Sequence, residues 1–159
     1  VYDHPFVTRV DELEEDSDLI IIFGGTNDFG HGDAPLGDMS SRSNKTFYGA
    51  LHNLYRAVIN RFHDKKIIVL TPTHRRNEEN ICAEANQRPF PTAPLKGYVD
   101  IIKEVAQYYS LPVLDLFSVS GMQPDVDIIR EKYMPDGLRP SDLGHEGLAD
   151  LIAAFIKTL

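Results

Sequence analysis

The sequence predicts an α/β protein: a three-layer α/β/α sandwich with a parallel central sheet, in a single domain that spans residues 1–159. Three observations predict this class. Short apolar runs alternate with amphipathic stretches along the chain, they follow the order strand–helix three times, and no internal repeat or low-complexity linker interrupts them. Strands separated by helices are joined by right-handed crossovers and therefore lie parallel in the sheet.

The three strands are predicted at 18–23, 66–70 and 112–116, where the runs DLIIIF, KIIVL and PVLDL occur. Their continuous rather than alternating apolar pattern is typical of strands buried on both faces. Helical spacing predicts helices at 44–62, 94–109 and 142–156. The side chains predicted to face the core from these helices are Phe47, Leu51, Leu54, Tyr55, Val58, Phe62, Tyr98, Ile101, Ile102, Val105, Tyr109, Leu148, Leu151, Ile152 and Phe155.

Charge and composition exclude several classes of partner. The 16 basic and 24 acidic residues give a net charge of -8, which disfavours nucleic acid and anionic lipid surfaces. No apolar run approaches the roughly 18 residues that span a bilayer. With no signal-peptide pattern at the start, the single Cys82 favours a cytoplasmic protein. Cys82 is interpreted as a packing residue rather than a nucleophile.

Two glycines and an amide follow the first strand, in the run Gly24-Gly25-Thr26-Asn27-Asp28. The carboxyl ends of parallel strands share one rim of the sheet, where sites of such folds lie. Glycine permits close approach of the backbone to another group, and a neutral amide such as that of Asn27 suits an oxyanion. The alternative is that Asn27 and Asp28 only close a turn, and local chemistry leaves both interpretations open.

A second constellation precedes the last helix. Asp136 stands in a Pro-Asp-Gly turn, where a carboxylate suits the orientation of an imidazole three residues on, but that position is Arg139. A guanidinium cannot accept a proton, and we expect it to pair with Asp136 as a bidentate fork. His145 is interpreted as a residue of the first helical turn, a relocated base being the alternative. Ser141 or Asp142 is expected to cap the helix.

Other candidates carry weaker signals. His31 and Asp33 beside Asp28 match no standard metal spacing, and we expect neither a metal nor another cofactor.

The run THRR at 73–76 places cationic side chains near the rim, where they are either solvated or able to hold a substrate carboxylate or phosphate. A nucleotide site at FGGTNDFG is disfavoured, because the glycine spacing is wrong and no helix is expected to begin there. The long connection 71–94 is interpreted as a lid over the site, with a surface excursion as the alternative.

The pairing of GTND at 25–28 with DGLRP at 136–140 resembles the SGNH or GDSL hydrolase family, and the run GGTNDFGHGDAPLG resembles its bacterial lipase/acylhydrolase branch. This resemblance implies a flavodoxin-like sheet and a serine esterase that hydrolyses small acyl esters, of lipids or acetylated carbohydrates, without a cofactor. It also implies that Gly25 and Asn27 bind the oxyanion, that Asp136 is the triad acid and that Arg139 stands at the position of the base.

The chain departs from the family pattern at two points. It contains no Gly-Asp-Ser run that would supply the nucleophile, since LGDMS at 36–40 has Met39 in its place, and it has Arg139 where the family has histidine. We therefore expect the family's first βαβ unit to lie upstream of Val1, and the open sheet edge to be covered by that segment or by a second copy in a homo-oligomer.

These departures leave the catalytic status of the chain open. As written, it is expected to have negligible triad-type esterase activity on its small-molecule ester substrate. The alternative is a non-catalytic protein on the same fold that binds an anion or a carbohydrate, with Arg139 as a permanent anchor for the anion.

Overall fold

A computed structural model describes residues 5–32, 34–79 and 93–159 and shows a three-stranded parallel sheet in the order β1-β2-β3. The strands are β1 Leu19–Phe23, β2 Lys66–Leu70 and β3 Val113–Leu114. Phe23 lies opposite Leu70 in one ladder, and Leu70 lies opposite Leu114 in the other, so all three strands end at the same rim. The predicted parallel sheet is confirmed. The third strand is shorter than the predicted 112–116 because a helix begins at Leu116.

Six α-helices accompany the sheet in the described residues: α1 Thr26–His31, α2 Phe47–Arg61, α3 Leu95–Tyr108, α4 Leu116–Val119, α5 Asp127–Tyr133 and α6 Asp142–Ile156, preceded by single 3-10 turns at Phe6–Thr8 and Val10–Glu12. The helices predicted at 44–62, 94–109 and 142–156 correspond to α2, α3 and α6. The short helices α1, α4 and α5 were not predicted, because four to seven residues hold at most two turns of apolar periodicity.

Helices cover both faces of the sheet, as the sandwich prediction requires. On one face, Ile20, Ile22, Ile67 and Val69 of the strands pack in one buried cluster with α2 and α3. On the other, Ile68 and Leu70 of β2 pack with residues that include Leu116, Met122, Met134 and Leu148, the last from α6. The predicted core positions of α2 are all buried, whereas Leu151, Ile152 and Phe155 of α6 are only partly buried.

The edge strand β1 departs from the prediction of burial on both faces. Ile20 and Ile22 are buried, but the alternate residues Ile21 and Phe23 are 43% and 42% exposed. In the described part of the chain β1 pairs only with β2, and the helical layer on that face centres on Ile68 and Leu70 of β2. An apolar stripe is therefore open along β1. Its cover by an upstream segment or by a second copy remains a prediction.

The connection after β2 is described as far as Glu79 and again from Ala93. The lid predicted in that connection, and Cys82 within it, therefore lie largely or wholly outside the described residues. Among the helices that are described, none has the length and apolarity to cross a bilayer.

Candidate active site

Gly25, two residues after the end of β1, has a backbone conformation that other residues rarely adopt. Its φ is 109°, and a Cβ at this position would lie 2.8 Å from Cδ1 of Ile102 on α3. The left-handed conformation therefore favours glycine, and a Cβ would also displace the end of the Ile102 side chain. The chain then enters α1 directly at Thr26. The expectation that no helix begins after the glycines is wrong, although α1 is only six residues long.

Asn27 lies in the first turn of α1 and is exposed. Its side-chain amide forms no hydrogen bond with any residue in the described ranges, so the amide is not used to close a turn. Asn27 and Gly25 both line a cavity of about 450 Å³. The walls of this cavity are mostly apolar and include Phe6, Phe47, Leu51, Tyr98 and Ile102. An uncharged donor that bonds to no described residue therefore lines an apolar pocket.

The carboxylate of Asp136 is held by its own turn. Its Oδ1 accepts hydrogen bonds from the backbone N–H groups of Arg139 at 2.6 Å and Leu138 at 2.8 Å. These two bonds, the first above all, lower the pKa of Asp136 below its ordinary value. The carboxylate is thus kept ionised, as an acid that orients a neighbouring cation must be.

Arg139 meets Asp136 through one guanidinium nitrogen, with Nη1 3.1 Å from Oδ2. The predicted bidentate fork is wrong, because the two backbone amides already occupy Oδ1. The rest of the Arg139 side chain projects outward and is 79% exposed. Position 139, where the resemblance predicted the base, therefore carries a permanent cation that contacts one oxygen of Asp136.

His145 is the fourth residue of α6, and its backbone N–H donates to the carbonyl of Ser141. The Ser141 side chain accepts a hydrogen bond from the N–H of Gly144 and caps the helix, which confirms the capping prediction for this residue. No hydrogen bond joins the exposed ring of His145 to Asp136. The geometry is that of a first-turn helix residue.

The segment 73–78, which follows β2, touches both halves of the predicted site. Nη1 of Arg75 donates to the carbonyl of Thr26 at 3.1 Å, next to Asn27. The backbone N–H of Arg76 donates to the carbonyl of Gly137 at 2.8 Å, next to Asp136. Consecutive arginines thus contact the chain neighbours of the amide and of the carboxylate, which places both turns along one rim of the sheet.

The same segment contains a buried polar cluster that the sequence did not reveal. Glu78 is only 8% exposed. It accepts hydrogen bonds from Nδ1 of His74 at 2.8 Å and from the backbone N–H of Arg75 at 3.1 Å. The ring of His74 also stacks on Phe117, with centroids 3.8 Å apart, and Nε2 of Gln123 lies 3.2 Å from its Nδ1. In the sequence, His74 and Glu78 are four residues apart. That spacing predicts a contact only within a helix, and this segment is not helical.

The candidate metal ligands Asp28, His31 and Asp33 are described only in part, since Asp33 lies outside the described residues. Within those residues, no group of three or more His, Cys, Asp or Glu side chains is arranged to hold a metal ion.

Comparison with known proteins identifies the family to which the chain belongs. The model of the GDSL-like lipase/acylhydrolase family matches residues 3–146. A Lactobacillus plantarum protein of known structure is 26% identical with a TM-score of 0.84, over 96% of this chain and 72% of that one. A second crystal structure is 36% identical with a TM-score of 0.83, over 96% and 70% of the two chains. The lipase/acylhydrolase from Enterococcus faecalis is 26% identical with a TM-score of 0.59, over 91% and 63%. No curated protein matches.

Proposed function

The chain belongs to the GDSL-like lipase/acylhydrolase family, as the GTND and DGLRP motifs indicated, and we propose that its site is that of an SGNH-type esterase for small acyl esters of lipids or acetylated carbohydrates. One observation carries this proposal. The amide of Asn27, which bonds to no described residue, and the left-handed Gly25 line an apolar cavity of about 450 Å³, a size common among sites for small molecules.

The proposed chemistry begins at the β1 end. When a nucleophile adds to an ester carbonyl, negative charge develops on the carbonyl oxygen. The side-chain amide of Asn27 and the backbone N–H of Gly25 are proposed to bind that oxygen. Neutral donors stabilise the charge without altering the protonation of a nearby acid or base. The apolar wall of the cavity would receive the acyl chain.

The acid–base side is proposed to be incomplete in this sequence. Asp136 retains the position and ionisation of a triad acid, but Arg139 cannot remove a proton from a nucleophile. These 159 residues also contain no Gly-Asp-Ser run. We therefore propose that the 159-residue chain has negligible triad-type esterase activity.

Hydrolysis of p-nitrophenyl acetate by the 159-residue chain tests this proposal. The expected rate equals that of buffer with an inert protein, and neither His145→Ala nor the control His63→Ala, at another exposed histidine, changes it. Turnover that is lost in His145→Ala and kept in His63→Ala would contradict the proposal, because His145 would then be a working base.

A second candidate function is binding without turnover. It is favoured by the exposure of Arg139, whose permanent charge is suited to holding an anion in place. A ligand that binds the native protein and is recovered unchanged after prolonged incubation would favour this function over hydrolysis.

A further inference from the structure

A second arginine lies against the turn that holds Arg139. The backbone N–H of Arg76 donates to the carbonyl of Gly137, and a Cβ on Gly137 would overlap Cδ and Cγ of Arg76. Gly137 has a φ of 73°, a left-handed conformation that favours glycine, and a larger residue would have to displace the Arg76 stem. The aliphatic stem of Arg76 is thereby seated on the turn between Asp136 and Arg139.

The backbone around Arg76 is fixed from both sides. Upstream, the side chain of Arg75 is bonded to the carbonyl of Thr26. Downstream, the buried Glu78 is bonded to His74 and to the backbone N–H of Arg75, and its own carbonyl accepts from the N–H of Leu95 on α3. The backbone at Arg76 is therefore held before any ligand arrives, which lowers the entropy cost of binding.

The charges at this turn do not balance. No carboxylate in the described ranges forms an ion pair with Arg76, which is exposed. Arg139 has Asp136 as its ion-pair partner there, and that carboxylate also accepts two backbone N–H groups. The turn thus carries Arg139 paired with its one carboxylate and, against Gly137, the stem of a second arginine, in a chain whose net charge is -8. An arginine whose backbone is held, and which has no ion-pair partner in the described part of the chain, is suited to an anion site.

We propose that Arg76 and Arg139 together form an anion subsite beside the ester site, which binds a carboxylate or phosphate group carried by the substrate. The inference rests on the proposed function, because it makes the substrate an ester with a negatively charged group. Guanidinium groups suit this ligand, since their planar N–H donors match the paired oxygens of both anions. The local cations are needed because an acidic protein otherwise repels anions.

Calorimetric titration of the 159-residue chain tests the subsite without requiring turnover. The probes are inorganic phosphate, monomethyl succinate, whose carboxylate is on the acyl side of its ester, and the neutral control dimethyl succinate. We expect one or both anions to bind at low ionic strength and the neutral ester to bind at least about tenfold more weakly, since charge-assisted hydrogen bonds are strong. Preference for monomethyl succinate would place the charge on the acyl group, and preference for phosphate would identify a phosphate-bearing substrate.

Three variants locate the binding. Arg76→Gln and Arg139→Gln should each weaken the preferred anion by about tenfold, whereas the control Arg56→Gln, on the exposed face of α2, should leave the affinity within about twofold. Equal losses in all three variants would show a general charge effect and overturn the proposal. So would unchanged affinity in Arg76→Gln, or no anion binding at all.

A measurement on the unmodified chain guards against variants that misfold. Titration with the preferred anion should shift the NMR signals of the Arg76 and Arg139 side-chain N–H groups before those of other arginines. Anion binding without these shifts would contradict the subsite. Because these readouts measure binding alone, failure of the anion subsite and failure of the esterase proposal remain distinguishable.

Discussion

The two turns that make up the candidate site differ in how far their polar groups are already engaged. At the end of β1, the Asn27 amide bonds to no described residue and lines an apolar cavity. Ahead of α6, the Asp136 carboxylate accepts two backbone N–H groups and one guanidinium nitrogen. The first turn is open toward a ligand, whereas the carboxylate of the second is occupied within its own turn.

This difference separates two requirements of ester hydrolysis. Oxyanion binding needs donors that are placed in advance and left unpaired, and the β1 turn provides such a donor. Proton transfer needs a group that changes its protonation state near neutral pH, and Arg139 does not. The open turn thus suits the binding of developing negative charge, whereas the second turn carries a fixed cation where the proposed function needs a base.

The largest effect is expected at the open turn. In a chimera that carries a family Gly-Asp-Ser unit ahead of residue 1 together with Arg139→His, Asn27→Ala should lower kcat by about 10²–10³-fold with little change in KM, since the oxyanion forms only after binding. Steady-state hydrolysis of p-nitrophenyl acetate measures this. Asn60→Ala, at an exposed position on α2, is the control. A rise in KM with kcat unchanged would show that Asn27 binds the ester itself and not its transition state.

The next effect concerns the segment that joins the two turns. Glu78→Ala removes a buried acceptor from His74 and from the backbone N–H of Arg75, and should lower the free energy of unfolding by about 1–3 kcal/mol. Urea denaturation followed by circular dichroism measures this. The exposed neighbour Glu79→Ala should stay within about 0.5 kcal/mol of the parent. Equal stability of the two variants would mean that the cluster does not hold the segment.

A smaller effect is expected at the helix that follows the occupied turn. Ser141 caps α6 by accepting from Gly144, and its hydroxyl also donates to the carbonyl of Lys132. Ser141→Ala should therefore cost about 1 kcal/mol of stability, whereas Ser141→Thr keeps the cap and should cost less. Thermal melts of both variants decide the matter, and a Thr variant as unstable as the Ala variant would argue against capping.

The smallest effect is a dependence of stability on pH. The pKa of Asp136 is lowered in the folded state, chiefly by the backbone N–H of Arg139. The ionised carboxylate therefore stabilises the fold above the unfolded pKa of about 4, and this contribution disappears as the pH falls through the lower folded value. Asp136→Asn should flatten the stability profile below pH 4 in acid titrations followed by circular dichroism. An unchanged profile would show that Asp136 does not contribute.

The sequence predicted much of the fold because long, periodic segments carry strong signals. The apolar positions of α2 and the run KIIVL of β2 correspond closely to the structure. Exposure of Ile21 and Phe23 was not predictable from the run LIIIF, since that run records apolar character and not which helices cover each face. The helix α1 was hidden because its start depends on a left-handed glycine and its length is only six residues.

The candidate site was predictable where its residues are adjacent in sequence. The motifs that contain Asn27 and Asp136 indicated the two turns, and the cap at Ser141 followed from local composition. The contacts of Arg76 with Gly137, and of Gln123 with His74, join residues that are far apart in the chain. Such contacts depend on how distant segments meet in the folded chain, and a local sequence pattern does not predict them.

The central proposal is that Arg139 stands where the site needs a base, while Asn27 provides the oxyanion donor. Hydrolysis of p-nitrophenyl acetate by the Arg139→His and Arg139→Gln variants of the chimera with the Gly-Asp-Ser unit tests it directly. We expect the histidine variant to exceed both the parent and the glutamine variant by at least about 10²-fold, the usual contribution of a general base. Equal rates for the histidine and glutamine variants, with both folded, would contradict the account.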